Sequence, residues 1–284
     1  MFVRNIKDMN LKSFFLIILI AGSHFLLAQS VDVLKVTTHK LENGLTVFLN
    51  EDPTATKMFG AVMVKAGAVN ESEDATGMAH YLEHLLFKGT TILGTSDYQK
   101  EKPLLDSIHV LYDQLAQELD RDQQLIIQKQ INNLAVKSAK YGLPNEFDKL
   151  LKSIGGTDVN AFTSYDMTFY HNTFPSHETE KWLDLYSARF DNPVFRSFQS
   201  ELEVVYEEKN RDMDGMENRI FEEINKANFP NLPYGKWSIL GTVEHLKKPS
   251  LTKMKAFYEK HYVAKNMAII LTGNFKAKEV LPII

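Results

Sequence analysis

The sequence predicts an α+β fold with a largely antiparallel β-sheet packed against helices. Three observations predict it: short alternating runs near both ends of the chain, turn signals that fold two pairs of runs into hairpins, and longer stretches between them with apolar residues three and four apart. With 284 residues and 44% hydrophobic content, the chain is long enough for one fair-sized domain or two small ones.

The first residues stand apart from this pattern. Arg4, Lys7 and Lys12 precede the apolar run "FFLIILIAG", followed by "SHFLLAQS" with a small residue at Ala28. This reads as a Sec-type signal peptide over residues 1–28, cleaved after Ala28, although Leu26 at the −3 position is an imperfect match. Ser23 and His24 break the run, which falls short of the roughly 20 residues of a spanning helix. The expectation is an extracytoplasmic protein, periplasmic or secreted, with no membrane span in the mature chain 29–284. Removing Arg4, Lys7, Asp8 and Lys12 with the peptide shifts the formal charge from −4 to −6, which argues against nucleic acid as a partner. There is no cysteine, so disulfides, thiolate zinc sites and thiol nucleophiles are excluded, and any metal must be held by His, Asp or Glu.

The elements follow in order. "VLKVTTHKLENGLTVFLNED" gives two strands around Asn43-Gly44, a dipeptide suited to a tight hairpin, and "MFGAVMVKAG" (58–67) gives a third. "GMAHYLEHLLFKGT" is an amphipathic helix, with Gly89 just past its last apolar residues. Between 103 and 140, Leu104, Ile108, Leu111 and Leu115, then Ile127, Ile131 and Leu134, mark a helical hairpin bent near Asp120 to Asp122. "PNEFDKLLKSIGG" is a short helix ended by Gly155-Gly156, and "TDVNAFTSYDMTFYHNTF" is a second hairpin that turns at Ser164 to Asp166. Helices are expected at 175–190, 197–213, 217–228 and 251–263, and "NMAIILTGNF" is a final strand. The terminal "KAKEVLPII" starts a helix whose Val280, Leu281, Ile283 and Ile284 have no cap or covering element, so the sequence is expected to be a fragment of a longer polypeptide.

The chemistry sits in "AHYLEH". Positions i, i+3 and i+4 share a helix face, so His80 and His84 can point at one ion with Glu83 beside it. The H-x-x-E-H order is an inverted-zincin motif, and imidazole with carboxylate suits Zn2+. A pair of helix histidines with ordinary hydrogen bonds is the bland alternative. His171, His177, His245 and His261 lack comparable spacing and read as structural or surface residues.

"AGAVNESEDATGMAHYLEHLLFKGT" resembles the active-site stretch of the pitrilysin/insulinase family of zinc peptidases, which includes the mitochondrial processing peptidases, and the similarity runs from about residue 36 to the end. "PYGKWSILGTVEHLKKPS" and "FYEKHYVAKNMAIILTGNF" resemble later segments of the family. The resemblance implies a third ligand from a later helix in "ELEVVYEE". Glu208, seven after Glu201 and four after Val204, keeps the family's phase and is the implied ligand; Glu207 breaks it. Glu201, two turns earlier on the same face, is the implied partner that orients a ligating histidine.

The same resemblance implies that Glu83 is the general base of a zinc-dependent endopeptidase acting on peptides or unfolded segments. The strand carrying Asn160 and Ala161 would bind substrate as an added strand, although alternation alone is equally met by a plain amphipathic hairpin. A second, similarly folded half without the metal motif, in the same longer chain or in a partner subunit, is implied as well. The 124 positions from His84 to Glu208 exceed the spacing in simple members, and the excess coincides with 103–140, which reads as an insertion. The contrasting readings are a non-catalytic scaffold subunit, against which the complete motif counts, and a solute-binding protein with structural zinc, which would need a fourth ligand that is not evident.

Overall fold

Alternating apolar residues make the strands because successive side chains leave a strand on opposite faces. The computed structural model describes residues 34–284, and the expected signal peptide and its cleavage point lie outside them. Six strands form one sheet: β1 (Val36–Lys40), β2 (Thr46–Glu51), β3 (Met58–Val64), β4 (Thr157–Thr163), β5 (Thr168–Phe174) and β6 (Met267–Gly273). Their order is β1-β2-β6-β3-β5-β4, with β2 and β6 parallel and every other pair antiparallel, so the expected α+β class with a largely antiparallel sheet is the one observed.

Burial follows position in this order. β3 lies inside the sheet and buries Met58, Ala61, Val62 and Val64, whereas β5 buries alternate residues, Thr168, Tyr170, Asn172 and Phe174. β4 is an outer strand, largely exposed, with one edge paired to β5 and, among the described residues, no strand on the other.

The first hairpin forms around Asn43-Gly44, as the sequence predicts. Gly44 N–H donates to Leu41 O and Leu41 N–H to Leu45 O, both at 2.9 Å, while Gly44 alone in the loop takes positive φ, +90°. This is a type I turn closed by a glycine bulge, not a two-residue turn. Asn43 uses its side chain instead, accepting from Leu45 N–H at 3.0 Å.

The helices are α1 (Met78–Leu85), α2 (Tyr98–Gln117), α3 (Arg121–Ser138), α4 (Glu146–Ser153), α5 (Thr179–Phe190), α6 (Phe198–Asp214), α7 (Met216–Asn228), α8 (Pro233–Lys236), α9 (Val243–Lys247), α10 (Leu251–His261) and α11 (Ala277–Val280). The helical hairpin begins at Tyr98, earlier than the 103 read from sequence, because the Asp97 carboxylate accepts from Lys100 N–H and caps α2, leaving Pro103 inside the helix. Its bend falls at Glu118 to Asp120, where Asp120 caps α3. The short α8 and α9 have too few residues to show a helical period. At the last residues the expectation of uncovered apolar side chains is corrected: Val280 is buried and Leu281 and Ile284 pack on the core, with Ile283 exposed.

The hydrophobic core lies between the sheet and the helices. α1 contributes Met78, Ala79, Tyr81, Leu82 and Leu85 to it and touches β4, β5, α6 and α10. Arg189 of α5 is buried behind the end of α1, where its Nε–H donates to Leu86 O at 3.2 Å and its guanidinium lies 3.9 Å from the Phe87 ring and 4.3 Å from that of Tyr170. Among the described residues no helix is long and apolar enough to cross a membrane.

Candidate metal centre

α1 is short, and its first N–H groups need partners that its own N-cap, Gly77, cannot supply. The buried Glu71 supplies them: Oε2 accepts from Gly77 N–H at 2.8 Å and Oε1 from Ala79 N–H at 2.7 Å. Burial pushes the Glu71 carboxyl up to about 8, against the pull of these N–H groups. Gly77 takes φ +84°, and a Cβ there would stand 2.7 Å from Leu240 O, so both backbone angle and space demand glycine. The helix is thereby fixed at its start against the loop before α9.

From this anchored helix His80 and His84 face α6. His80 Nε2 lies 3.6 Å and His84 Nε2 3.5 Å from the same atom, Glu208 Oε2, and the two imidazoles stand 4.8 Å apart, edge to face. One ligand atom from each of the three residues falls within 4.8 Å of the others. These separations are too long for hydrogen bonds. The two N···O separations are close to the roughly 3.3–3.4 Å expected between ligand atoms that sit 2.0–2.1 Å from a tetrahedral zinc. The donor set of two imidazoles and one carboxylate therefore fits zinc.

The electrostatics differ between the two histidines. Burial, with His84 beside it, holds the His80 imidazole down at about 3, so it stays neutral across ordinary pH with a lone pair free; its buried Nδ1 has no hydrogen-bond partner among the described residues. Burial also depresses His84, but the adjacent Glu201 carboxylate and the charges of Glu208 and Glu83 outweigh it and raise the imidazole above its usual range.

Glu201 faces the far side of His84, with Oε2 3.5 Å from Nδ1, while its Oε1 takes Lys88 Nζ at 2.7 Å. Burial alone would raise this carboxyl, but His84 and Lys88 hold it below the usual range. Glu83 points from α1 toward β4, is 6% exposed, and accepts from the Thr163 hydroxyl at 2.7 Å. Burial raises its pKa, opposed by Thr163, His84 and Arg189.

α6 reaches this position through its first turns. Tyr81 OH donates to Phe198 O, the Tyr81 and Phe198 rings pack at 4.8 Å, and Tyr112 of α2 closes on Phe198 from the other side at 4.6 Å. Just before α6, Arg196 Nε donates to both Glu101 oxygens at 2.9 Å in a buried ion pair with α2. The helical hairpin thus braces the helix that carries Glu201 and Glu208.

His80, Glu83, His84, Lys88, Glu201 and Glu208 line a cleft of about 690 Å³, bounded on one side by β4 from Val159 to Thr163. Asn160 is exposed and Ala161 half-buried; Ala161 N–H donates to Asn160 Oδ1 at 2.9 Å, and a register shift before Asn160 coincides with Asp158 at φ +55°. The structure therefore brings His80, Glu83, His84, Glu201, Glu208, Asn160 and Ala161 to one cleft. The other histidines read from the sequence as structural or surface residues sit elsewhere: His171 packs beside Phe59 and Phe169, His177 is exposed, His245 Nδ1 accepts from Thr76 N–H at 3.1 Å, and His261 packs beside Phe257.

Sequence reasoning missed Thr163, Lys88, Glu71 and Arg189. Strand alternation puts Thr163 on the same face as Ala161, which was an available signal. Nothing local marks the other three.

Residues 46–101 and 127–242 match the family profile described as "Insulinase (Peptidase family M16)", and residues 249–284 match one described as "Peptidase M16 inactive domain". The break at 102–126 falls within α2 and α3. An "Uncharacterized zinc protease" of Rickettsia felis is 24% identical over 237 residues, which are 83% of this chain and 45% of that protein. The crystal structure of a protease from Helicobacter pylori superposes with TM-score 0.66 at 23% identity, covering 88% of this chain and 49% of the other. The first half of the periplasmic protease PqqL from Escherichia coli gives 0.64 at 20%, covering 88% and 45%. The chain spans about half the length of the curated relatives it matches. On the extent of the profile match, the chain belongs to the insulinase family of peptidases, family M16.

Proposed function

We propose that this chain is the catalytic half of a zinc-dependent endopeptidase that hydrolyses peptide bonds in peptides or unfolded segments. The observation that carries the reading is the convergence of His80 Nε2, His84 Nε2 and Glu208 Oε2 with a further carboxylate, Glu83, on the same helix and outside that set. Zinc held by those three residues would act as a Lewis acid that polarises the scissile carbonyl and acidifies the attacking water. Glu83 takes the proton from that water as its oxygen bonds to the carbonyl carbon, then passes it to the nitrogen as the C–N bond breaks. Glu201, held by Lys88, fixes the ring of His84 from behind. The outer edge of β4 at Asn160 and Ala161 receives the substrate as an extended strand, so main-chain pairing supplies binding with little demand on side chains.

A second half-domain of similar fold, in the same longer chain or in a partner subunit, completes the enzyme in this reading, supported by relatives about twice as long. The α2–α3 hairpin is an insertion, supported by the interrupted profile match. Residues 1–28 direct export and are removed after Ala28, which N-terminal sequencing of the mature protein checks. A scaffold role draws on the match of residues 249–284 to an inactive domain. It requires a protein that binds zinc without cleaving anything. Zinc stoichiometry and cleavage of a quenched peptide by the full-length protein decide between the two: one zinc with cleavage supports the endopeptidase, and one zinc without cleavage supports the scaffold.

A further inference from the structure

Glu83 ends in a soft torsion. The carboxylate plane of a glutamate rotates in a broad, two-fold well, so its orientation is set by what its oxygens bond. Among the described residues one side-chain hydrogen bond reaches Glu83, from the Thr163 hydroxyl to Oε2 at 2.7 Å. Thr163 is well placed to impose a direction. It is the last residue of β4, paired with Thr168 of β5, and as a β-branched residue it has few χ1 rotamers. A hydroxyl has a single proton, and this one is committed to the carboxylate.

We infer that Thr163 is a positioning residue for the hydrolysis: it ties down Oε2 of Glu83 and so presents Oε1 to the attacking water. The inference rests on the reading of Glu83 as the general base. It adds a coupling between substrate and base, because the strand that carries the hydroxyl is the one whose outer edge, at Asn160 and Ala161, receives the peptide. Proton transfer from water to Oε1 and on to the leaving amine then takes place from an orientation set by the substrate strand. Burial makes this single contact matter, since at 6% exposure bulk water does little to orient the carboxylate.

The test uses the full-length zinc-loaded protein with Thr163→Val, which keeps the shape and removes the hydroxyl, and Thr163→Ser, which keeps the hydroxyl. The expected result for Thr163→Val is one zinc per chain, an unchanged thermal midpoint, KM within about twofold and kcat lower by about 10- to 100-fold, as for other residues that orient a catalytic group. Thr163→Ser is expected to restore most of kcat. Adding Thr163→Val to Glu83→Gln is expected to slow that variant no further, because the two act as one unit. Wild-type kcat in Thr163→Val, a raised KM with unchanged kcat, loss of zinc, or a Ser variant as slow as the Val variant would each overturn the inference. The failures are distinguishable: if Glu83→Gln is inactive and Thr163→Val fully active, the base reading stands and this inference falls; if Glu83→Gln remains active, both fall.

Discussion

Replacing Glu208 by Gln removes one of three converging ligand atoms and leaves the fold of α6 in place, so its effect reads zinc binding almost alone. A bound ligand stabilises the native state by RT ln(1 + [L]/Kd), about 2.7 kcal/mol when free zinc is buffered at 100 times the wild-type Kd. For a domain of this size each kcal/mol moves the thermal midpoint by about 2–4 °C, so zinc should raise the wild-type midpoint by roughly 5–11 °C. Structural zinc sites with four ligands bind with about 10–16 kcal/mol in all, or about 3 kcal/mol per ligand, so losing one weakens zinc about 100-fold. At the same free zinc the Glu208→Gln protein is then half occupied, with about 0.4 kcal/mol of stabilisation and a shift of roughly 1 °C. Glu207, one residue earlier and exposed, serves as the control, and Glu207→Gln should keep the full shift. The assay is calorimetry in metal buffer with and without zinc. A full shift in Glu208→Gln, or its loss in Glu207→Gln, refutes the register that places Glu208 in the site.

Two further outcomes test the supporting structure. Glu101→Gln strands the buried Arg196 guanidinium without its counter-charge, and should lower unfolding free energy by about 3–5 kcal/mol in urea titrations; a loss under about 1 kcal/mol would show that the hairpin does not brace α6 in this way. Glu71 keeps its proton in the native state up to about 8 but releases it near 4.5 when unfolded, so between these values the native state binds more protons and stability falls as pH rises. Glu71→Gln should flatten that decline in urea midpoints compared at pH 5 and pH 8, and an unchanged slope would contradict the raised pKa.

What the sequence made legible was what local geometry controls. β5 could be read because it buries every second residue, and the trio in α1 because helical spacing alone sets three side chains on one face. The order of strands could not, because β6 inserts between β2 and β3 from some two hundred residues away, and no local pattern records that pairing. Glu208 needed the family resemblance, since its arrival beside His80 depends on Tyr81, Phe198 and Tyr112 packing α6 against α1. Lys88 was hidden for the same reason, since it matters through a contact with a helix far away in sequence, whereas Thr163 shares a strand face with Ala161 and could have been read. The first hairpin, by contrast, has a local origin: Asn43-Gly44 marks it, and the chain turns there.

In the proposed enzyme three residues hold zinc while Glu83 moves the proton. The most direct measurement pairs zinc content with turnover of a quenched peptide in the full-length wild type and in Glu83→Gln. One zinc per chain is expected in both, with cleavage by the wild type and loss of cleavage by at least about 100-fold in Glu83→Gln, the scale of a general acid–base contribution. Loss of zinc in Glu83→Gln would make Glu83 a ligand, and cleavage at the wild-type rate would take it out of the chemistry; either result contradicts this mechanism.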